Sequence, residues 1–171
     1  MTGSDAAGSH IGQLAAKNLK KTVLELGSND AYLVLEDADI DLAVKTCVMG
    51  RLYNNGETCV SAKRFVVTDA VYDDFVSAFV EQMEGVKMGD PMNEDTQLGP
   101  LSSRDQFETI AEQVSKSVEA GAQVLCGGDP ADDSGCYYPA TVLAECKPGM
   151  PAYDDELFGP VASIIRAKDD E

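Results

Sequence analysis

Short apolar runs alternating with longer stretches of helical periodicity constrain this chain more than any other feature. Ala31–Leu35, Phe65–Thr68, Gln123–Cys126 and Val161–Arg166 are brief and rich in branched and aromatic side chains. Between them, Ile40, Ala43, Val44, Cys47 and Val48 fall at helical spacing on one face. So do Val71, Phe75, Ala78, Phe79 and Met83, and again Phe107, Ile110, Ala111, Val114 and Val118. Apolar residues at i, i+3, i+4 and i+7 mark a helix that buries one side. Strands alternating with such helices predict an α/β fold, a mostly parallel sheet flanked by helices.

Finer expectations follow from local chemistry. A glycine-bearing turn through Gly3, Ser4 and Gly8 precedes a helical pattern that runs to about Leu19. Free N–H groups at such a helix start suit an anion, although a plain serine or aspartate cap explains the same residues. Thr22–Leu26 predicts a strand closed by Gly27, with Glu25 between two leucines. If shielded, that carboxylate becomes a usable base near neutral pH. Residues 87–103 form a long Gly-, Pro- and Asp-bearing loop whose length suggests a contact role. Ser103 and Gln106 read as a capping box opening a helix that stops at Gly121. Asp129–Gly135 reads as an acidic surface loop, and Tyr138–Leu143 as an extended segment in which Pro139 suits a sheet edge.

The 171 residues suffice for one domain with a core. A formal net charge of −17 repels phosphate backbones and argues against nucleic-acid binding. No apolar run approaches the roughly 20 residues of a membrane span, and residues 1–22 lack a secretory apolar core. The five cysteines, at 47, 59, 126, 136 and 146, include no C-x-x-C, so neither a zinc knuckle nor a disulfide framework is suggested. No metal site is expected, and a reducing cytoplasm fits best.

One cysteine stands apart. Cys59 sits in the polar turn Asn54-Asn55-Gly56-Glu57-Thr58-Cys59, between a helical pattern and the strand at Phe65. A thiol in such a turn is open to reagents, and nearby backbone N–H groups favour its thiolate. The single histidine, His10, is far away in sequence, which argues against a Cys-His dyad. Cys47, on a helix face, reads as core.

Four segments, taken in order, resemble the aldehyde dehydrogenase superfamily: Thr2-Gly3-Ser4 with Gly8, Leu24-Glu25-Leu26-Gly27, Asn55 to Cys59 with Arg64, and Glu156-Leu157-Phe158-Gly159-Pro160. Their spacing, 34 positions from Glu25 to Cys59 and 97 from Cys59 to Glu156, matches as well. Leu-Glu-Asp-Ala-Asp at 35–39 and Met-Gly-Asp-Pro at 88–91 are most similar to bacterial succinate-semialdehyde dehydrogenases. The resemblance implies oxidation of an aldehyde, such as succinate semialdehyde, to the acid with NAD or NADP as cofactor. Cys59 would be the nucleophile, Glu25 the base for hydrolysis, and the Cys59 N–H part of an oxyanion hole. Gly3, Ser4, Leu26, Glu156 and Phe158 would line the cofactor.

The resemblance also implies a division into a remnant of a dinucleotide-binding domain, 1–26, and a catalytic domain, 27–171, incomplete at its C-terminal side. The partner would be a small-molecule aldehyde, and the intact protein a homo-oligomer. Because the family's chains are several times longer, these residues alone are expected to turn over little substrate. Two departures stand out. Ser28 replaces a second glycine and would be strained at positive φ. Glu57 replaces a glutamine, and its charge would oppose a thiolate at Cys59. Ser61 stands where some relatives place a second cysteine, so no local disulfide is expected. Lys63 and Arg104 are candidates by charge for a distal carboxylate, with a solvated surface role as the alternative. A cofactor-independent thiol esterase and a non-catalytic interaction module fit the same residues.

Overall fold

The computed structural model describes residues 1–130 and 135–170, so positions 131–134 of the expected acidic loop lie outside the described residues. In chain order the elements are α1 (Asp5–Lys17), β1 (Ala31–Val34), α2 (Ile40–Leu52), β2 (Arg64–Thr68), α3 (Tyr72–Glu84), α4 (Arg104–Glu119), β3 (Gln123–Cys126), β4 (Thr141–Ala144), α5 (Pro151–Asp154) and β5 (Val161–Ala167). The strands form one sheet in the order β1-β2-β5-β4-β3. Every neighbouring pair is parallel except β3 with β4. The expected α/β architecture with a mostly parallel sheet is the one observed.

The apolar runs of β4 and β5 follow from burial on both faces. Val142, Ala144, Ala162 and Ile164 point into a core built with Val44 and Cys47 of α2 and Phe75, Phe79 and Met83 of α3. Leu143 and Val161 face a second core with Phe107, Ile110 and Val114 of α4 and Ala152 of α5. In the first core Phe65 meets Phe79 at 5.2 Å and Phe79 stacks on Phe75 at 5.4 Å. Each such buried ring contributes about 1.5–3 kcal/mol relative to exposure. Helix α2 starts where Asp39 accepts from the Leu42 N–H at 3.0 Å. Among the described residues, 1–26 contribute nothing to either core. Helix α1 is mostly exposed, and only Gly8 is buried, against the Leu26 side chain.

Three local expectations are corrected. Thr22–Leu26 joins no sheet. Among the described residues its backbone pairs only with residues 1–3, through Glu25 N to Met1 O at 2.9 Å and Gly3 N to Glu25 O at 3.0 Å. Ser4 then starts a helix, so no longer ladder can form. The segment around Pro139 is not an edge. Pro139 precedes β4, which lies between β5 and β3, and the edges are β1 and β3. Gln106 completes only half a capping box: its N–H reaches Ser103 Oγ at 3.1 Å, but its side chain turns to the Phe158 carbonyl at 2.7 Å.

Candidate active site

The turn before Cys59 is built from left-handed residues. Asn54 and Asn55 have φ of 51° and 57°, and Gly56 has φ of 75°. Asparagine tolerates this region better than most residues, and glycine best of all. Asn54 Nδ2 donates to the Glu57 carbonyl at 3.0 Å. The Asn55 amide clamps the 87–103 loop, donating to Pro100 O and accepting from Gly99 N, each at 3.0 Å. Gly56 is required sterically as well: a Cβ there would overlap the Gly159 carbonyl oxygen and lie 2.7 Å from Arg51 Nη2. The nucleophile turn and the Glu156–Pro160 motif therefore meet at this residue.

Around that junction lies a cleft of about 560 Å³ lined by Thr2, Gly3, Ser4, Leu26, Gly27, Glu57, Thr58, Cys59, Gln106, Thr109, Glu156 and Phe158. Six residues singled out from the sequence thus share one cleft: Gly3, Ser4, Leu26, Cys59, Glu156 and Phe158. Glu25 is not among its lining. It is exposed, and the shielding on which its use as a base depends is absent in this chain. Ser4 caps α1, accepting from Ala7 N at 3.3 Å, and so sits at a helix N-terminus facing the cleft. His10 is exposed on α1 and lines no part of the cleft.

The five cysteines divide by environment. Cys47, Cys126 and Cys146 are buried, and burial pushes their thiols up to about 12, 11 and 11. Such thiols stay protonated and inert. Cys59 is half-buried in the cleft wall, and Cys136 is half-buried outside it.

Beneath Cys59 lies a polar network that local sequence patterns did not disclose. Lys63 is 0% exposed, not a surface lysine. Its ammonium donates to the carbonyls of Cys59 at 2.7 Å and Thr58 at 3.1 Å, and to Ser28 Oγ at 3.3 Å. It also pairs with Glu156 Oε1 at 3.3 Å. Burial pulls the Lys63 amine below the usual lysine range, and Glu156 partly restores it. Ser28 donates its hydroxyl to the Cys59 carbonyl and its N–H to Glu156 Oε1 at 3.1 Å. Ser28 is not at positive φ, so the expected strain is absent. Arg51 is fully buried behind the turn, donates to Gly56 O at 2.7 Å, and is lowered to about 10 by burial against the attraction of Glu156.

Other expectations resolve in the same region. Glu57 is held by Ser102, accepting from its N–H at 3.1 Å and its hydroxyl at 2.5 Å, so this carboxylate is tied to the 87–103 loop. Ser61 is buried and donates to Gly50 O at 2.5 Å. Arg104 pairs with Glu108 at 2.8 Å and covers the Phe107 ring on the surface. Helix α4 fixes the other wall: Gln106 holds Phe158 O, and Gln113 holds Glu156 O at 3.1 Å.

A cysteine following a left-handed turn, set against a buried lysine and a carboxylate, thus lines a cleft on an α/β sheet. Comparison with known proteins defines it further. The aldehyde dehydrogenase family model matches residues 1–171, and the chain belongs to that family. It is 47% identical over 169 residues to the NADP(+)-type succinate-semialdehyde dehydrogenase 1 of Mycobacterium ulcerans (strain Agy99), covering 99% of this chain and 37% of that protein. Similarity to the Mycobacterium avium (strain 104) succinate-semialdehyde dehydrogenase is also 47%, over 36% of that protein. The crystal structure of lactaldehyde dehydrogenase from Escherichia coli superposes with a TM-score of 0.95 at 39% identity, over 98% of this chain and 35% of that one. The chain therefore spans little more than a third of the length of these relatives.

Proposed function

We propose that this chain supplies the nucleophile-bearing part of an NAD(P)+-dependent aldehyde dehydrogenase acting on a small semialdehyde such as succinate semialdehyde. The observation that carries the reading is the cleft itself. It brings one accessible thiol, a helix N-terminus with a serine cap, and a partly exposed carboxylate together within about 560 Å³. Those residues suit a dinucleotide. The α1 N-terminus with Gly3 and Ser4 suits a pyrophosphate. Glu156, 26% exposed and anchored through Oε1, suits ribose hydroxyls, with Phe158 and Leu26 as apolar walls. When bound, the nicotinamide accepts the hydride released from the aldehyde carbon.

The residues then act in sequence. The Cys59 thiolate attacks the carbonyl carbon, forming the C–S bond and placing charge on oxygen. The Cys59 N–H stabilises that oxygen. Loss of hydride leaves a thioester on Cys59. Water adds to it, the C–S bond breaks, and the acid leaves with the thiol restored. Glu25, one residue from the cleft-lining Leu26, is the base proposed for that water, once shielded from solvent. In this reading residues 1–26 belong to the cofactor-binding domain and 27–171 to the catalytic domain.

The test replaces the matching segment of the Mycobacterium ulcerans relative with these 171 residues. Aldehyde-dependent appearance of reduced nicotinamide, abolished by Cys59→Ser, is the expected result. A folded chimera with no turnover would contradict the proposal.

A further inference from the structure

We propose that Lys63 is a positioning residue that joins the nucleophile turn to the carboxylate at Glu156, with Ser28 as the joint. The inference rests on the roles just given to Cys59 and Glu156. Lysine is rarely found fully buried without a reason in its partners. Here all three ammonium protons have partners: two backbone carbonyls of the turn, at Thr58 and Cys59, and a shared contact with Ser28 Oγ and Glu156 Oε1. Ser28 closes the ring. Its hydroxyl donates to the same Cys59 carbonyl, and its N–H donates to the same Glu156 oxygen.

The Cys59 peptide is thus held from below on its carbonyl side, which fixes where its N–H and side chain point. The same cation neutralises Glu156, so the turn and the carboxylate cannot move independently. Arg51, held to Gly56 O and attracted by Glu156, braces the far side of the turn. The cleft wall that would carry the cofactor and the wall that carries the nucleophile are one hydrogen-bonded unit. Loss of either end should loosen the other, through Lys63 and, in parallel, through Ser28.

The experiment is hydrogen exchange by mass spectrometry on the 171-residue chain, read in the segment 57–62, together with alkylation of Cys59 by iodoacetamide. Lys63→Met should speed exchange in that segment about tenfold while β3 and β4 keep their protection. It should slow alkylation about fivefold through loss of a neighbouring cation, and Lys63→Arg should restore the rate to within about twofold of the parent. Glu156→Gln should speed exchange in 57–62 about threefold in the parent and by clearly less when combined with Lys63→Met, where only the Ser28 bridge is left. An equal effect of Glu156→Gln in both backgrounds overturns the proposal, as does full protection of 57–62 in Lys63→Met.

Should Lys63→Met fail to fold, Ser28→Ala reads the same joint. Exchange in 57–62 should rise about two- to threefold, and an unchanged segment refutes the coupling. Neither readout contains cofactor or aldehyde. The coupling can therefore fail while the dehydrogenase reading stands, and the chimera can fail while the coupling stands.

Discussion

Gly56 is where the two site motifs touch, and its replacement by alanine isolates what that contact contributes. Two costs add. A left-handed backbone costs an L-residue about 1–2 kcal/mol, and Gly56 sits at φ 75°. The new Cβ would overlap the Gly159 carbonyl oxygen, with the Gly159 carbon 2.6 Å away and Arg51 Nη2 at 2.7 Å. Backbone cannot yield as a side-chain tip can, so forcing it apart adds about 1–3 kcal/mol. The sum, about 2–5 kcal/mol, lowers the melting temperature by about 4–20 °C in a chain of this size. Gly149 supplies the control. Its φ is 94°, yet a Cβ there meets nothing within 4 Å. Gly149→Ala should pay the backbone cost alone. Thermal unfolding of both variants by circular dichroism should show Gly56→Ala the less stable by about 1–3 kcal/mol. Equal melting temperatures would show that the motifs do not meet at Gly56.

Asn55→Ala removes both hydrogen bonds to the 99–100 loop and a residue suited to left-handed backbone, and should cost about 2–3 kcal/mol in urea unfolding. Glu57→Gln weakens the hold on Ser102 and should cost about 1 kcal/mol, yet change the Cys59 alkylation rate less than about threefold. A larger rate change would mean that the carboxylate does act on the thiol. The buried thiols set an alkaline limit. Burial holds the Cys47, Cys126 and Cys146 thiols well above the ordinary thiol range when folded. The folded state therefore binds more protons than the unfolded one above pH 9, and stability falls as pH rises toward the folded values. Lys63 and Arg51, lowered when folded, oppose this but number two against three. Urea titrations from neutral to alkaline pH under reducing conditions should show the decline, and Cys47→Ala should flatten it by about 1.4 kcal/mol per pH unit.

Helices α2, α3 and α4 and strands β2 and β5 were legible because their periodicity reflects burial that the residues carry themselves. Where a partner decides the outcome, local pattern misled. Thr22–Leu26 has a strand composition, yet among the described residues its backbone pairs with residues 1–3 and with no strand. Pro139 looked like an edge marker, although it stands just outside an interior strand. At the site, Cys59, Glu156 and Phe158 were legible as motif residues. Their support was not, because Ser28 joins Cys59 across 31 positions and Glu156 across 128. No window along the chain relates such residues. Lys63 reads as a surface charge until Glu156 is seen beside it. A lysine directly between a buried-type Ala62 and a strand start was the only available hint.

Of the two half-buried thiols, Cys59 and Cys136, Cys59 is the one that lines the site cleft. Limited iodoacetamide labelling of the folded chain, with each cysteine followed by peptide mass spectrometry, tests it most directly. The account predicts that Cys59 labels at least about tenfold faster than Cys47, Cys126 and Cys146, and that Cys59→Ser leaves the labelling of half-buried Cys136 unchanged. Labelling of a buried cysteine at the rate of Cys59 would contradict it.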